Sequence, residues 1–552
     1  MAENFEEKPS LVSAGQGFSV SYKGKFLYSR YNPERAIKAA VENLSVLPGT
    51  LVFLFSPAFC YGVDDLIAKL PEQCPIIAVE NELNLFALCA EKIAELPVEV
   101  HLLNTAEAKK YAAALIRTGK IKRAIRVDLS AGVQFFREEY ASFFAEIQDA
   151  ISVFWKNRIT LVRFGRIFSH NVMKSLGRFS EAIPFGVLEK SVSSPIFVFG
   201  AGESTELLLK KIPKSLLEKC VIIAVDAAVL PLKAHGIFAD AVVTVEAQSA
   251  IDACFAGAGV EKSVLIADLC SRTIRRKVGA KSVAAFLSKY DDATYLARLK
   301  RLSILPTEIE PLGSVGLTAV QIALLLRSQP EIPIFVAGLD FSYKAGATHT
   351  KEAPQHKKRL RSITRLFGVD NMDAAFGVGA EKCVGKDGNR AITTKNLSGY
   401  ADLFARYFAG TPFLFDAGES GLPLSIPCVS SAELGAFLSR VQSKAHFLPN
   451  VKKNHDLSQK IRDFYCAEEK ALTHLKELLI FGEKALAEDE KQRGLSEAIL
   501  SLLSERDYLY LHFPDGFSPS VEPQFLKRVR AEIDSFLKDI QLGLSFLCET
   551  ES

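Results

Sequence analysis

Glycine turns and acidic residues follow several apolar runs in the middle of this 552-residue chain. The run at residues 196–199 breaks into the turn GAGES at 200–204 and continues in a helical pattern. Glycine lets the backbone approach a ligand closely, and the start of the following helix offers free N–H groups to a phosphate. Thr205 replaces the third glycine of a dinucleotide fingerprint. The pattern therefore predicts a turn that binds a phosphorylated or nucleotide ligand.

Acids end the neighbouring apolar runs. Asp226 follows residues 221–225, Glu246 follows 241–245, and Asp340 ends the run that begins at 334. Successive βαβ units bring the carboxyl ends of parallel strands to one sheet edge, where open α/β sheets bind ligands. We expect these acids to lie close to the glycine turn.

A polar loop and a second glycine turn complete the predicted site. The loop at 342–350 contains His349, which we predict to transfer a proton. The turn GSVG at 313–316 precedes an apolar helix and is a second candidate for phosphate or sugar binding. We predict His349 and Asp226 as catalytic residues. The predicted nucleotide-sugar-binding residues are Gly200, Gly202, Glu203, Ser204, Asp226, Glu246, Gly313, Ser314, Gly316 and Asp340.

Composition is ordinary for a soluble globular protein, with 48% hydrophobic and 24% charged residues. The net charge of +3 gives no support to nucleic-acid binding through bulk charge. The first residues lack the basic and apolar segments of a signal peptide, and the apolar runs are too short to span a bilayer. Ten scattered cysteines form no C-x-x-C pair or zinc pattern. We therefore predict a cytosolic protein without membrane insertion, metal or cofactor.

The element pattern predicts an α/β fold in four parts. Residues 1–140 read as an amino-terminal Rossmann-like α/β domain, and 141–190 as a helical connector. Residues 191–442 read as the central Rossmann-like domain, and 443–552 as a carboxy-terminal helical domain. In the first part, Glu80 ends a strand where methyltransferases keep a ribose-binding acid, but we favour a structural module there. The basic run at 356–362 is typical of a solvated helix face that can also steer a nucleotide.

Seven motifs follow one another along the chain: LYSRYNP at 27–33, GAGES at 200–204, AVDAA at 224–228, DAVVTVE at 240–246, GSVG at 313–316, GLD at 338–340 and TH at 348–349. In this order they resemble the motility-associated factor family, bacterial proteins required for flagellin glycosylation. Two positions depart from the family pattern: Glu203 stands where proline is usual, and Glu246 where aspartate is usual.

The resemblance implies transfer of a nonulosonic acid, of the pseudaminic or legionaminic type, from a CMP-activated donor to Ser or Thr of flagellin. It also implies a central domain similar to bacterial sialyltransferases and to an archaeal 6-hydroxymethylpterin diphosphokinase. In this scheme the first glycine turn and Ser204 hold the donor phosphate, and Asp226 and Glu246 contact ribose, base or sugar. Ser314 and the amides near Gly316 hold phosphate or carboxylate, and His349 takes the acceptor hydroxyl proton or assists the leaving phosphate.

Three alternatives remain open at this point. A pterin diphosphokinase would use Asp226, Glu246 and Asp340 to hold Mg²⁺ for ATP. A nicotinamide-dependent oxidoreductase is disfavoured by the missing third glycine. A non-catalytic flagellin-binding or export factor would act mainly through its helical tail.

Overall fold

The computed structural model describes residues 8–276, 278–288, 293–366, 377–442, 444, 455–484 and 489–549. The chain forms two compact units, residues 1–163 with 513–518, and residues 164–512 with 519–552. Both contain parallel sheets, which confirms the predicted α/β class. No helix in the described ranges combines the length and apolar character that crossing a bilayer requires.

The first unit contains a parallel sheet of four strands, preceded by a small antiparallel sheet. The strands, in chain order, are β1 (Ser10–Ser13), β2 (Phe18–Tyr22), β3 (Lys25–Phe26), β4 (Thr50–Phe55), β5 (Ile76–Val79), β6 (Val100–Leu103) and β7 (Arg123–Asp128). The parallel sheet has the order β6-β5-β4-β7. The helices are α1 (Arg35–Glu42), α2 (Val63–Lys69), α3 (Leu83–Ile93), α4 (Thr105–Arg117) and α5 (Arg137–Thr160).

Strand β4 is buried along its whole length, as its continuous apolar sequence TLVFLF predicts for a parallel strand covered on both faces. Val52 and Leu54 face one core cluster. Phe53 and Phe55 face the other, where they pack against aromatic residues of α5 such as Tyr140. Alternation along this strand therefore supplies apolar side chains to both layers of helices.

Glu80 follows β5 and is 1% exposed. Its carboxylate accepts hydrogen bonds from the Ser56 hydroxyl, the Tyr140 hydroxyl (3.3 Å) and the Glu82 backbone N–H (2.9 Å). In a methyl-donor site an acid at this position would bind a ribose, whereas here the Glu80 carboxylate accepts its hydrogen bonds from protein groups. This arrangement favours a structural role for the first unit.

The second unit is built on a larger sheet in which all paired strands are parallel. Its strands are β8 (Ile183–Pro184), β9 (Ile196–Phe199), β10 (Val221–Val225), β11 (Ala241–Thr244), β12 (Val264–Asp268), β13 (Ser282–Ser288), β14 (Thr307–Ile309), β15 (Ile334–Ala337) and β18 (Leu414–Asp416). The order is β14-β13-β12-β11-β10-β9-β15-β18, and β8 pairs with β13. A separate antiparallel hairpin joins β16 (Ala380–Val384) and β17 (Arg390–Thr394).

Helices flank this sheet and form the end of the chain. They are α6 (Arg166–Phe179), α7 (Phe185–Leu188), α8 (Glu203–Lys211), α9 (Lys214–Leu217), α10 (Val229–Ala234), α11 (Asp252–Phe255), α12 (Arg272–Arg276), α13 (Thr294–Arg301), α14 (Val315–Leu326), α15 (Pro354–Ser362), α16 (Lys395–Phe408), α17 (Ser431–Arg440), α18 (His455–Lys484), α19 (Asp489–Ser504) and α20 (Pro523–Glu549). The predicted 141–190 connector contains most of α5, in the first unit, and α6, in the second. The four-part division stays a prediction.

The sequence predicted β9, β10 and β11 within one residue of their observed bounds, whereas the run predicted from 334 to Asp340 extends past the end of β15 at Ala337. It did not predict β8, β13 or β14. Strands β8 and β14 contain only two and three residues, and β14 is exposed at its first two. Both segments pair with β13, and segments this short are extended because of that pairing, so their own sequences do not predict a strand.

A buried ionic cluster joins helices α6 and α20. His170 of α6 is bonded through Nδ1 to Asp539, and its Nε2 lies 3.4 Å from Glu532. Arg166 pairs with Glu532 (2.9 Å) and Lys174 with Asp539 (3.0 Å). Burial lowers the pKa of His170, but the hydrogen bonds that its ring donates to Asp539 and Glu532 outweigh burial, so the net shift is upward. The two carboxylates of α20 therefore favour the protonated form of this α6 side chain.

We expect His170→Asn to lower the melting temperature most at pH 6. A histidine whose pKa is raised on folding stabilises fully below the unfolded value of about 6.5, and the stabilisation is lost as pH rises through the folded pKa. Breaking one side of a buried ion pair costs about 3 kcal/mol of unfolding free energy. Thermal unfolding of both proteins from pH 6 to 9 measures this, with exposed His474→Asn as the control. If the difference in melting temperature between the parent and His170→Asn does not shrink as pH rises, the protonated imidazole is not what stabilises the contact.

Candidate functional site

A cavity of about 620 Å³ lies at the carboxyl ends of β9, β10 and β15. Strands β10 to β14 extend the sheet to one side of β9, whereas β15 and β18 extend it to the other. The cavity therefore lies at the topological switch point, the position where open parallel sheets bind ligands. Its walls also include the start of α14, the loop after β15, helix α15 and residues beside the β16–β17 hairpin.

Six of the predicted site residues line this cavity. They come from both glycine turns, the end of β15 and the polar loop, and they are Gly200, Gly202, Ser314, Gly316, Asp340 and His349. Glu203, Ser204, Asp226, Glu246 and Gly313 are not among the lining residues.

The turn after β9 is held against the turn after β15. The Gly200 N–H donates to the Ala337 carbonyl (2.7 Å), and the Gly202 N–H donates to the Gly338 carbonyl (2.9 Å). A Cβ at Gly202 would lie 2.6 Å from Asp340 Oδ2 and 2.8 Å from the Gly338 oxygen. Glycine is required here by the approach of two backbone segments, in addition to any ligand.

Ser204 lies beneath the cavity wall. Its hydroxyl donates to Asp340 and accepts the Gly338 N–H (2.8 Å), and its own N–H donates to Asp340 Oδ2 (2.9 Å). Ser204, which we predicted to hold a donor phosphate, is thus hydrogen-bonded to an acid of the cavity lining. Its neighbour Glu203 forms an ion pair with Lys344 (2.9 Å).

Asp340 is the acid of this arrangement, and it is 5% exposed. Both carboxylate oxygens are engaged by Ser204. Burial raises the pKa of Asp340 to about 6, although the Ser204 hydrogen bonds and the nearby Lys386 oppose that rise. Lys386 itself pairs with buried Asp416 at the end of β18. Asp340 therefore braces the turns that form the cavity wall.

Asp226 begins the 3₁₀ turn after β10, between Val225 and Ala227, which both line the cavity. It is 7% exposed, and its Oδ1 accepts the Ala227 N–H (2.7 Å). Burial raises the pKa of Asp226 to about 6, and the negative charge of Glu246 adds to the rise. Glu246 accepts the N–H of Gln248 (2.8 Å). The structure thus brings the two acids near each other, and neither is a lining residue of the cavity.

The second glycine turn starts α14. Gly313 has a φ of +70°, and Ser314 caps the helix by accepting the Gly316 N–H at 3.3 Å. Ser314, Val315 and Gly316 line the cavity, so the positive end of the α14 dipole faces it. An anionic ligand would be stabilised at this end.

His349 also lines the cavity, and its Nδ1 lies 3.1 Å from the Thr348 hydroxyl. The N–H of the next residue, Thr350, donates to the Ala201 carbonyl (2.9 Å), so this loop is attached to the first glycine turn. Burial lowers the pKa of His349 to about 4, and the positive charges of Arg359 and His356 act in the same direction. The imidazole is therefore neutral at physiological pH. A neutral imidazole can accept a proton from a hydroxyl group.

Arg359 and Tyr343 also line the cavity, and the sequence did not single them out. Arg359 belongs to the basic run at 356–362, which the sequence predicted to be a solvated helix face that can also steer a nucleotide. The sequence of the run does not show which of its cations faces a ligand, because that depends on which face of α15 packs against the rest of the unit.

The diphosphokinase alternative would need Asp226, Glu246 and Asp340 to form one Mg²⁺ site, and their contacts do not form such a site. Asp340 is engaged by Ser204, and Glu246 by Gln248. Across the described ranges, no three His, Cys, Asp or Glu side chains gather in a way that could hold a metal ion. We therefore derive no step through Mg²⁺.

Comparisons with known proteins agree with this architecture. A family model described as 6-hydroxymethylpterin diphosphokinase MptE-like matches residues 170–346. The fold is similar to that of the MAf glycosyltransferase from Magnetospirillum magneticum AMB-1, with a TM-score of 0.51 and 14% identity, over 99% of this chain and 93% of that chain. An uncharacterised protein of Treponema pallidum (strain Nichols) is 29% identical over 562 residues, 96% of this chain and 94% of its own. The chain therefore has a MAf-like glycosyltransferase fold with an MptE-like central region, as the sequence motifs predicted.

We expect Gly202→Ala to destabilise the second unit, because the added methyl group would meet Asp340 and the Gly338 carbonyl. Overpacking of this kind costs about 1–3 kcal/mol. The matched control is Gly399→Ala in α16, where a Cβ has open space and should stabilise the helix by about 0.5–1 kcal/mol. Urea unfolding of the three proteins measures both effects. Equal stability of Gly202→Ala and the parent would refute the close approach of the two turns.

Asp226→Asn should gain stability relative to the parent as pH rises from 4 to 7. An aspartate whose pKa is raised on folding, here from 3.8 to about 6, makes the protein less stable as pH rises through that interval. Asparagine keeps an acceptor for the Ala227 N–H but does not ionise. It therefore avoids the loss of unfolding free energy that ionisation of the buried aspartate causes, about 1.4 kcal/mol per pKa unit. Melting temperatures of both proteins across pH 4–7 test this, and a constant difference would contradict it.

Proposed function

We propose that this chain is a glycosyltransferase that transfers a nonulosonic acid of the pseudaminic or legionaminic type from a CMP-activated donor to Ser or Thr of flagellin. The observation that carries the proposal is a switch-point cavity that is lined by neutral His349, by the first glycine turn and by the start of α14. The MAf-like fold and the sequence motifs support the choice of donor and acceptor.

The proposed reaction is a substitution at the anomeric carbon of the sugar. The acceptor hydroxyl oxygen forms the new bond to that carbon, and the bond from the carbon to the CMP phosphate oxygen breaks. His349 takes the hydroxyl proton, and CMP leaves with the electron pair of the broken bond. The leaving group is a phosphate monoester of low basicity, so its departure does not require a metal ion.

The walls of the cavity have separate roles in this scheme. The amides at the start of α14 and the positive end of its dipole stabilise the donor phosphate or carboxylate. Gly200 and Gly202 allow the nucleotide to approach the backbone. We assign Asp226 and Glu246 to the support of this wall, because neither is a lining residue. Flagellin and the activated sugar are the proposed partners, and the cytosolic location stays a prediction.

A pterin diphosphokinase is the second candidate, because the MptE-like family model matches residues 170–346. Release of AMP from ATP in the presence of a hydroxymethylpterin would support it. Release of CMP from a CMP-nonulosonate, stimulated by flagellin, would support the glycosyltransferase.

His349→Ala should reduce the transfer rate by about 10²-fold or more, the usual contribution of a positioned base. Incorporation of sugar into purified flagellin, followed by intact-protein mass spectrometry, measures this. His474→Ala on the surface of α18 is the control and should keep the parent's rate. Unchanged transfer by His349→Ala would remove this residue from the mechanism.

The pH profile of the parent enzyme gives a second test. Because the pKa of His349 is about 4, the imidazole stays neutral from pH 6 to 8. We expect kcat/KM to show no inflection at the ordinary histidine pKa of about 6.5. An inflection there that disappears in His349→Ala would show that His349 titrates normally, contrary to its buried environment.

A further inference from the structure

Arg359 is the cation of the cavity lining. It lies on α15, is partly buried, and lines the cavity together with His349 and Tyr343. His349 is neutral at neutral pH, and Asp340 contributes a carboxylate that accepts two hydrogen bonds from Ser204. Within the described ranges, Arg359 is therefore the positively charged side chain of the lining.

The guanidinium differs from neighbouring cations in its pairing. Lys357 of the same helix pairs with Glu352, and Lys386 pairs with buried Asp416. Across the described part of the chain, no carboxylate lies within ion-pair distance of Arg359. A half-buried arginine without a protein counter-ion, facing a cavity of ligand size, is the arrangement expected of an anion-binding group.

We propose that Arg359 binds an oxyanion of the ligand in this cavity, through the planar fork of its guanidinium. This inference rests on the proposed function and deepens it. The oxyanion is the phosphate of the CMP group or the carboxylate of the nonulosonic acid, and both match the two parallel N–H donors of arginine. Arg359 would then select an acidic, nucleotide-activated sugar over a neutral one.

The position of Arg359 also couples ligand binding to His349. The positive charge of Arg359 is one cause of the low pKa of His349, after burial. An anion that pairs with the guanidinium offsets this charge, so the pKa of His349 rises when the anion is bound. The imidazole becomes a stronger base once the donor is in place.

Isothermal titration of the full-length protein with CMP, cytidine and free N-acetylneuraminic acid tests the proposal. The variants are Arg359→Gln, which removes the charge, and Arg359→Lys, which keeps the charge but loses the fork. Arg361→Gln is the matched control, because Arg361 is exposed on the same helix and is not a lining residue. Thermal unfolding of each variant without ligand checks that the fold is retained.

We expect Arg359→Gln to weaken an oxyanion ligand by about tenfold or more, the scale of one charge-assisted hydrogen bond. Arg359→Lys should recover part of the loss, and Arg361→Gln should match the parent. If Arg359→Gln weakens the binding of CMP but not of cytidine, the oxyanion that Arg359 binds is the phosphate. If it weakens the binding of N-acetylneuraminic acid but not of CMP, the oxyanion is the carboxylate. In the variant, the pKa of His349 measured by NMR without ligand should lie above that of the parent.

The remaining outcomes separate this inference from the proposed function. Parent-like affinity of Arg359→Gln for CMP and N-acetylneuraminic acid, with sugar transfer retained, would overturn the inference and leave the function standing. Binding of ATP in place of CMP, weakened by Arg359→Gln, would support the anion site and refute the proposed donor. If the folded parent binds none of CMP, N-acetylneuraminic acid and ATP, both proposals fail.

Discussion

The second unit depends on the close approach of two backbone turns at the carboxyl ends of β9 and β15. Direct hydrogen bonds from Gly200 and Gly202 to the Ala337 and Gly338 carbonyls hold these turns together. A side chain at Gly202 would collide with this contact, so glycine is a packing requirement. Strands β9 and β15 are parallel neighbours, and the sheet extends from β9 on one side and from β15 on the other, so the cavity lies at the point where the strand order reverses.

Buried acids reinforce that junction at an energetic cost. Asp340 and Asp416 both have pKa values raised by burial, and Ser204 and Lys386 supply the compensating hydrogen bonds and charge. Removing one partner of such a network leaves a buried charge unpaired, which is strongly destabilising. The network therefore fixes the geometry of the turns more than it adds to overall stability.

The two α/β units use their strand ends differently. In the first unit, the acid after β5 is closed in by Ser56 and Tyr140. In the second, the corresponding edge keeps an open cavity with helix starts and a cation on its walls. One architecture thus supports a packed module in one case and a ligand site in the other, since the site depends on the side chains that occupy the edge.

The sequence was enough to predict β9, β10, β11, the two glycine turns and their order, because apolar runs that end in Gly or Asp carry a local signal. Strands β8, β13 and β14 carry no such signal and were not predicted. The sequence also predicted the α/β class, the edge that holds the cavity, and six of the residues that line it. Tertiary packing, by contrast, decides that Ser204 braces Asp340, that Asp226 and Glu246 are not among the lining residues, and that Arg359 is the cation of its basic run that lines the cavity. Those facts depend on how side chains from distant segments meet, and the spacing of residues along the chain does not contain that information.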